Sequence, residues 1–255
     1  MAPFNKKSKR NKDNSDYFMF GLHAVKAAMQ NPNRIKHELW ISQNARAKIF
    51  SNIKKPAIPI FNLDKSKNLP ISESKVHQGA ILKVSPLRQL SEIDEISKPK
   101  QTNLVVILDR VSDPQNVGAI IRSSLFFNCN AIINAFNGGS SENGSLVKAA
   151  SGAFEQVDYI QVANIAQTIS KLKKIGYFII GLDENSVDKI SSFKKGNSAI
   201  AIVFGAEGKG IRRLTREHCD LLVSIDGNNS FSSLNVSTAV AVTLFNMQSN
   251  GFNSV

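Results

Sequence analysis

The chain has few residues of the types that build metal centres and disulfides. Its 255 residues include only two cysteines and four histidines, and none shows zinc-type Cys/His spacing. Cys129 and Cys219 stand alone in apolar stretches, which predicts buried free thiols in a reducing, cytoplasmic setting. The sequence also lacks an evident catalytic triad or acid pair, so we expect no metal and no hydrolase of those kinds.

Long hydrophobic runs are missing as well. No apolar run approaches the roughly 18 residues that a transmembrane helix needs. Residues 1–16 are polar and basic and lack the apolar stretch of a secretory signal. We therefore expect no membrane partner, and we interpret residues 1–16 as a disordered basic arm.

Acidic residues are scarce in the first part of the chain. Residues 1–100 hold 19 Lys and Arg against 8 Asp and Glu, whereas residues 101–255 hold 13 against 12. Nearly all of the net charge of +12 therefore lies in the first 100 residues. Because a net charge of about 2 to 8 is usually enough for solubility, this asymmetry favours RNA or another nucleic acid as a partner.

The arrangement of apolar runs predicts two α/β domains. Short strand-like and helix-like segments in residues 17–85 indicate a small domain, and the proline- and acid-containing residues 86–103 indicate a linker. In residues 104–255, helical patterns at 117–127 and 165–174 lie between continuous apolar runs. These runs are residues 104–108, 131–133, 177–182, 199–204 and 221–225. They predict a parallel sheet covered on both faces, with ligands at the carboxyl ends of its strands.

The first polar cluster follows the first apolar run of the second domain. Residues 109–122 read DRVSDPQNVGAIIR, and Asp113, Pro114 and Asn116 are typical of a turn and helix start. Arg122 lies among apolar helical residues. It either pairs with an acid or serves a site, and its position alone leaves both interpretations open.

Two further clusters follow later runs. Residues 204–211, FGAEGKGI, place three glycines where a ligand can approach the backbone, or where a turn is simply tight. The pattern is neither a dinucleotide fingerprint nor a phosphate loop, and Glu207 would repel a pyrophosphate. Ser233, Asn235 and Ser237 then begin a helix, either as ordinary caps or as a polar ligand site.

Taken together, the three clusters resemble a known family. Asn116-x-Gly-x-x-x-Arg122, Gly205-Ala-Glu-Gly208 and Ser233-Leu-Asn-Val-Ser237 are similar, in this order, to the three motifs of the SpoU family. This family, TrmH-like and part of the SPOUT superfamily, comprises S-adenosylmethionine-dependent RNA ribose 2′-O-methyltransferases. The region 18–84 resembles the substrate-binding domain of the branch that methylates a guanosine in 23S rRNA. The segments 20–25 and 212–219 point to the same branch.

The resemblance implies a fold, a cofactor and a set of site residues. It implies a catalytic α/β domain with a deep trefoil knot, forming a homodimer, and a small N-terminal α/β RNA-binding domain. S-adenosylmethionine would contact Gly205, Ile225 and Leu234. Catalytic or RNA-facing roles fall on five residues: Asn116, Arg122, Glu207, Ser233 and Asn235.

The implied chemistry gives two further expectations. Arg122 would hold the target phosphate and stabilise the developing alkoxide of the ribose, and it would form an ion pair with Glu207 in the free protein. Two alternatives remain: a tRNA ribose 2′-O-methyltransferase, or a non-catalytic RNA-binding factor in ribosome assembly. A nucleotide-dependent dehydrogenase is excluded because no glycine fingerprint follows the first strand of the second domain.

Overall fold

The structure is a computed structural model that describes residues 15–66, 68–72, 74–87, 103–194, 199–227 and 234–249. Most of the arm and the linker expected from the sequence lie outside these residues. The described residues build two α/β units, each around its own sheet. None of the helices in this part of the chain is long and apolar enough to cross a membrane.

The N-terminal unit is a four-stranded mixed sheet with two helices. Its elements are β1 (Tyr17–Phe20), α1 (Leu22–Gln30), β2 (Lys36–Ile41), α2 (Gln43–Ile49), β3 (Ile60–Asn62) and β4 (Ala80–Val84). The strand order is β1-β4-β2-β3. β4 runs antiparallel to both of its neighbours, while β2 and β3 are parallel.

The second unit is a six-stranded sheet in which every paired strand is parallel. It contains β5 (Leu104–Asp109), α3 (Pro114–Phe126), β6 (Ala131–Ala135), α4 (Gly144–Ala149), β7 (Asp158–Val162), α5 (Ile165–Lys174), β8 (Tyr177–Leu182), β9 (Ala199–Gly205), α6 (Arg213–Glu217), β10 (Leu221–Val223) and α7 (Val236–Met247). The strand order is β10-β8-β9-β5-β6-β7. The parallel sheet predicted from the sequence is therefore confirmed.

Alternate residues of β5 show why its sequence is continuously apolar. Val106 and Leu108 belong to one buried cluster, and Val105 and Ile107 belong to another. Because successive side chains of a strand point to opposite faces, both faces of the sheet are covered.

Several elements differ from the sequence expectations. The apolar run expected at 221–225 forms β10 only as far as Val223, because Ser224 pairs instead in an isolated bridge with Lys189. β7 was not predicted from the sequence, because Asp158 and Gln161 interrupt its apolar pattern. Gln161 is nevertheless buried.

The strand order defines where a ligand is expected. β5 lies between β9, which comes later in the chain, and β6, which comes next. Parallel sheets bind ligands at the carboxyl ends of strands where the order reverses, so the ends of β5 and β9 are the favoured position.

Candidate functional site

Glu207, on the loop after β9, is the meeting point of the three motifs. Its Oε1 accepts hydrogen bonds from Asn116 Nδ2 at 3.1 Å, from Asn235 Nδ2 at 2.7 Å and from the backbone N–H of Val236 at 3.2 Å. Asn235 Nδ2 also donates to Asn116 Oδ1 at 3.0 Å. The first turn of α3, the loop after β9 and the start of α7 are thus joined through one carboxylate oxygen.

Asn235 has two roles that use different atoms. Its Oδ1 caps α7 by accepting from the backbone N–H groups of Ser237 and Thr238, at 2.9 and 3.4 Å. Its Nδ2 faces Glu207 and Asn116. The capping interpretation of this helix start is therefore confirmed for Asn235, and the other end of the same amide joins the cluster around Glu207.

The glycine loop is folded too tightly for a side chain at its first position. A Cβ on Gly205 would lie 2.0 Å from the carbonyl carbon of Gly210 and 2.3 Å from the backbone nitrogen of Ile211. Gly208 and Gly210 have φ angles of 71° and 60°, which favour glycine. The loop conformation that presents Glu207 therefore depends on these three glycines.

Asp109, the last residue of β5, fixes the other end of the loop. It is fully buried, and its Oδ1 and Oδ2 accept from Arg212 Nε at 2.7 Å and from the backbone N–H of Arg212 at 3.0 Å. Asp109 was not among the site residues predicted from the sequence. The sequence feature that could have indicated it is a carboxylate at the end of an otherwise apolar strand, because a buried carboxylate requires a partner.

Asn116 is positioned by the start of α3. Asp113 caps the helix by accepting from the backbone N–H of Gln115 at 3.0 Å, and Pro114 occupies the first helical position. Two residues after Asn116, a Cβ on Gly118 would lie 2.4 Å from Ala149 Cβ. This close packing of α3 on α4 determines where the first turn of α3 lies.

Arg122 does not join this cluster. Arg122 is exposed on α3, and within the described residues it forms no hydrogen bond and no ion pair. The expected ion pair with Glu207 is wrong, because no salt bridge joins the two side chains and the partners of Glu207 are two asparagine amides and a backbone N–H. Asn116 and Arg122 are six residues apart, which places them about 120° apart around the helix axis.

The residues expected to hold the cofactor lie on the same edge of the sheet. Gly205 ends β9, a half-buried Ile225 follows β10, and Leu234 precedes α7 with 48% of its surface exposed. Ser233 lies outside the described residues. Across the part of the chain that is described, no three His, Cys, Asp or Glu residues group as a metal ion would need.

Comparison with sequence models of protein families shows which family the chain belongs to. The sequence model of the SpoU rRNA Methylase family matches residues 103–245, more than half of the chain. The chain belongs to this family. The model described as RNA 2′-O ribose methyltransferase substrate binding matches residues 18–90. The family predicted from the three motifs is therefore confirmed.

Relatives of this SpoU family member align over most of its length. A 23S rRNA (guanosine-2′-O-)-methyltransferase RlmB from Ralstonia nicotianae is 36% identical over 233 residues, covering 89% of this chain and 93% of the relative. The protein of the same name from Escherichia coli is 34% identical over 240 residues, covering 89% and 96%.

Solved structures of methyltransferases share the fold. AviRb from Streptomyces viridochromogenes, in complex with AdoMet, aligns with a TM-score of 0.76 at 18% identity, covering 94% of this chain and 92% of that one. An AdoMet-bound rRNA methyltransferase from Sinorhizobium meliloti aligns with a TM-score of 0.73 at 17% identity, covering 92% and 88%. At these identities the likeness shows the α/β fold alone.

Proposed function

We propose that this protein transfers a methyl group from S-adenosylmethionine to a ribose 2′-hydroxyl of RNA, with a guanosine of 23S rRNA as the target. The observation that carries the proposal is the convergence of the three motifs on Oε1 of Glu207. The names of the relatives, which align over 89% of this chain, supply the rRNA and the guanosine. We also propose that the enzyme acts in the cytoplasm.

The cofactor proposal fits the residues at the edge of the sheet. Gly205 begins the loop after β9, and a Cβ on Gly208 or Gly210 of this loop would meet no atom within 4 Å, so the loop backbone there is open to a ligand. Leu234 and Ile225 offer apolar surface beside it, suited to the adenine ring. When bound, S-adenosylmethionine supplies the electrophilic methyl group.

Glu207 acts, in this proposal, as a positioning residue for the two asparagines. Its Oε1 is saturated by three donors, while Oε2 has no donor among the described residues and remains open to the RNA or to water. The amides of Asn116 and Asn235 are thereby held in fixed orientations. Preorganised amides of this kind cost no rearrangement when substrate binds.

Arg122 is proposed to contact the substrate. Arginine keeps its charge in proteins and offers paired donors to a phosphate. Because Arg122 is exposed and has no partner among the described residues, its guanidinium is available to hold the target phosphate and to stabilise the developing alkoxide. The proton of the 2′-hydroxyl then passes to a phosphate oxygen or to water. Ser233 is proposed to face the same ribose.

The basic N-terminal unit is proposed to capture the RNA. Lys75 and Lys148 lie 5.9 and 5.5 Å from the ring centroid of Phe20, and Lys83 lies 5.8 Å from that of Phe18. Lys148 belongs to α4, so this basic surface crosses from one unit to the other. Phosphate contacts there would give affinity that falls steeply with salt.

The domain boundaries, the dimer and the knot complete the proposal. We propose an arm at 1–16, a substrate-binding domain at 17–85, a linker at 86–103 and a catalytic domain at 104–255. The two family matches, 18–90 and 103–245, support this division. The helices α3 and α7 pack against each other, and both carry exposed apolar side chains. This exposed apolar surface supports a homodimer. The trefoil knot is proposed from the family resemblance.

One experiment tests the activity and its substrate together. The protein is incubated with labelled S-adenosylmethionine and either undermodified 23S rRNA or tRNA, and the methylated ribose is mapped by mass spectrometry. We expect one modified guanosine in 23S rRNA. Label in tRNA alone would favour a tRNA enzyme. Cofactor binding by calorimetry without any methylated RNA would contradict the proposed activity, and absence of both would favour a non-catalytic RNA-binding factor.

A further inference from the structure

A buried arginine joins the two units of the protein. Arg34, in the turn before β2, has a fully buried side chain. Its Nη2 and Nε donate to Glu155 at 2.6 and 3.2 Å, and its Nη1 donates to Glu142 and to the backbone carbonyl of Ser85, the latter at 3.0 Å. Both glutamates belong to the second unit, more than 100 residues away along the chain.

The two glutamates are completed by further donors, so the cluster is closed. Glu142 accepts from the Tyr17 hydroxyl at 2.6 Å and from the backbone N–H of Leu87 at 3.0 Å. Glu155 accepts from Asn31 Nδ2 at 2.8 Å. Burial, together with the charge of Glu142, raises the pKa of Tyr17, so its hydroxyl remains a donor. We call Tyr17, Asn31, Arg34, Glu142 and Glu155 the docking cluster.

Glycines let the units approach closely beside the docking cluster. A Cβ on Gly144, the first residue of α4, would lie 2.4 Å from the backbone oxygen of Phe18 and 2.8 Å from Phe20 Cε1. A Cβ on Gly152 would lie 3.0 Å from Ala27 Cβ. The buried apolar residues of both units also form one continuous cluster. The two units are therefore closely packed against each other. We call this contact, formed by the docking cluster and the neighbouring Gly144 and Gly152, the seam.

The seam is connected to the candidate site through the packing of α4 on α3. Glu142 lies two residues before α4, and Glu155 is the last residue of the 3-10 turn at 153–155 that follows this helix. α4 in turn packs on α3 at Gly118, whose Cβ would lie 2.4 Å from Ala149 Cβ and 2.8 Å from the backbone nitrogen of Ala150. Asn116 is two residues before Gly118. A short series of packed contacts therefore leads from Arg34 to Asn116.

Buried ion clusters contribute orientation more than strength. The cost of removing charges from water offsets most of their attraction, and apolar groups of similar size often pack as well. Charged groups that need specific partners, however, accept only one arrangement of the surfaces that carry them. The docking cluster therefore favours one register of the N-terminal unit on α4.

From this geometry we propose that Arg34 is a positioning residue for RNA methylation. By binding Glu142 and Glu155 it docks the RNA-binding unit in one orientation, and this orientation fixes which ribose reaches Asn116, Glu207 and Asn235. The inference rests on the proposed function. It assigns selection of the target to the geometry of the seam as well as to contacts with the RNA.

A steric variant opens the seam without touching a charge. Gly144 has an ordinary helical backbone, so in Gly144→Ala the new methyl group conflicts only with the N-terminal unit. We expect faster hydrogen exchange at residues 17–31 and 142–155 and an unchanged S-adenosylmethionine affinity. We also expect a loss of about ten- to a hundredfold in methylation of the wild-type nucleotide, as displacements of about an ångström produce.

A second variant removes the charges together. Arg34→Met, Glu142→Gln and Glu155→Gln are combined, so that no buried charge is left unpaired if the chain folds. We expect the same faster exchange and the same loss of target methylation. Glu217→Gln is the matched control, because Glu217 is exposed, pairs with Arg213 at 2.6 Å within one unit and does not reach the seam. It should retain wild-type exchange, rate and target.

The outcomes separate the inference from the proposed function. Wild-type protein that methylates no RNA contradicts the proposed function, whatever the variants do. If the wild type is active, an opened seam with the same nucleotide methylated at the wild-type rate overturns the inference. A seam that stays protected in both variants overturns it too, because Gly144 and the docking cluster would then not hold the units. Rate loss and opening together, with cofactor affinity retained, support it.

Discussion

At the scale of single residues, one carboxylate oxygen holds three segments of the chain in place. Oε1 of Glu207 accepts from two side-chain amides and one backbone N–H, yet Glu207 itself is exposed. An exposed group contributes little to stability through hydrogen bonds, since water competes for both partners. Its contribution lies in the orientation of Asn116 and Asn235.

Glu207→Gln separates orientation from stability. A glutamine can place its oxygen at the Oε1 position and its NH₂ group at the open one, but it lacks the charge that strengthens the three bonds. We expect a stability loss of about 0.5–1 kcal/mol and a fall of about ten- to a hundredfold in the single-turnover rate. Urea unfolding and rapid-quench assays measure the two. Glu184→Gln, at an exposed glutamate away from the motifs, is the control, and equal rates in the two variants would contradict the role.

Arg122 offers a different residue-scale test. If its guanidinium holds a phosphate with two donors, Arg122→Lys keeps the charge but loses the paired geometry. We expect a clear loss in the single-turnover rate, on the order of tenfold, with little change in urea stability because the side chain is exposed and has no partner among the described residues. A pH–rate profile with nearly full activity for Arg122→Lys would rule out the planar, paired role.

At the scale of elements, the contact between α3 and α4 supports the site. Gly118→Ala would add a methyl group 2.4 Å from Ala149 Cβ and 2.8 Å from a backbone nitrogen. Alanine is the better helix former by about 0.5–1 kcal/mol, but overpacking costs about 1–3 kcal/mol. We therefore expect net destabilisation and a reduced methylation rate.

Urea unfolding and RNA methylation measure these effects of Gly118→Ala. Ser123→Ala, later on the same helix, is the control because it adds no atom. Stability equal to or above that of the wild type would contradict the close packing of α3 on α4.

The elements also show what a sequence can predict. β5, β8 and β9 were predicted because both of their faces are buried, so apolar residues run without a break. β7 was missed because Asp158 and Gln161 break its pattern, although the sheet still accommodates them. Periodicity reports burial, and it fails where polar groups are buried with partners.

Partners that lie far apart in the chain could not be predicted. The motifs correctly placed Asn116, Glu207 and Asn235 at one edge of the sheet, because parallel strands bring their carboxyl ends together. Which donors share the Glu207 oxygen depends on side-chain directions that spacing does not specify. The predicted ion pair of Arg122 was therefore wrong. The docking cluster was not predicted either, because Arg34 lies 108 and 121 residues from its partners Glu142 and Glu155.

At the scale of the whole molecule, exposed apolar side chains on α3 and α7 bear on assembly. Phe126, Val242 and Phe245 are 77%, 39% and 62% exposed. Large exposed apolar patches usually mark an interface. If these residues form the proposed homodimer contact, Phe245→Asp should give a monomer, because it places a charge in an apolar interface.

Sedimentation velocity measures the effect of Phe245→Asp. Val187→Asp is the control, since Val187 is also highly exposed but follows β8, away from α3 and α7. A monomeric wild type, or a Phe245→Asp dimer as tight as the wild type, would contradict this contact.

The buried and half-buried thiols and phenols give the molecule an alkaline limit. Burial raises the pKa of Cys129 and of Cys219 to about 12, and burial raises the pKa of Tyr17, Tyr159 and Tyr177. Each folded-state pKa lies above its unfolded value, so the folded state binds more protons at high pH. Their contribution to stability is complete below about pH 9 and is lost as the pH rises toward 12.

Alkaline unfolding should therefore begin before the folded thiols ionise. Each group that is protonated only in the folded state lowers the free energy of unfolding by about 1.4 kcal/mol per pH unit. Lys36, whose pKa is lowered by burial, opposes this trend, but it is only half-buried. Urea unfolding at pH 8 to 11 should show a falling free energy, with a shallower slope in Cys129→Ala. A free energy of unfolding that does not change between pH 8 and 11 would contradict the burial of these groups. Rapid labelling of Cys129 in the native protein at pH 8 would also contradict it.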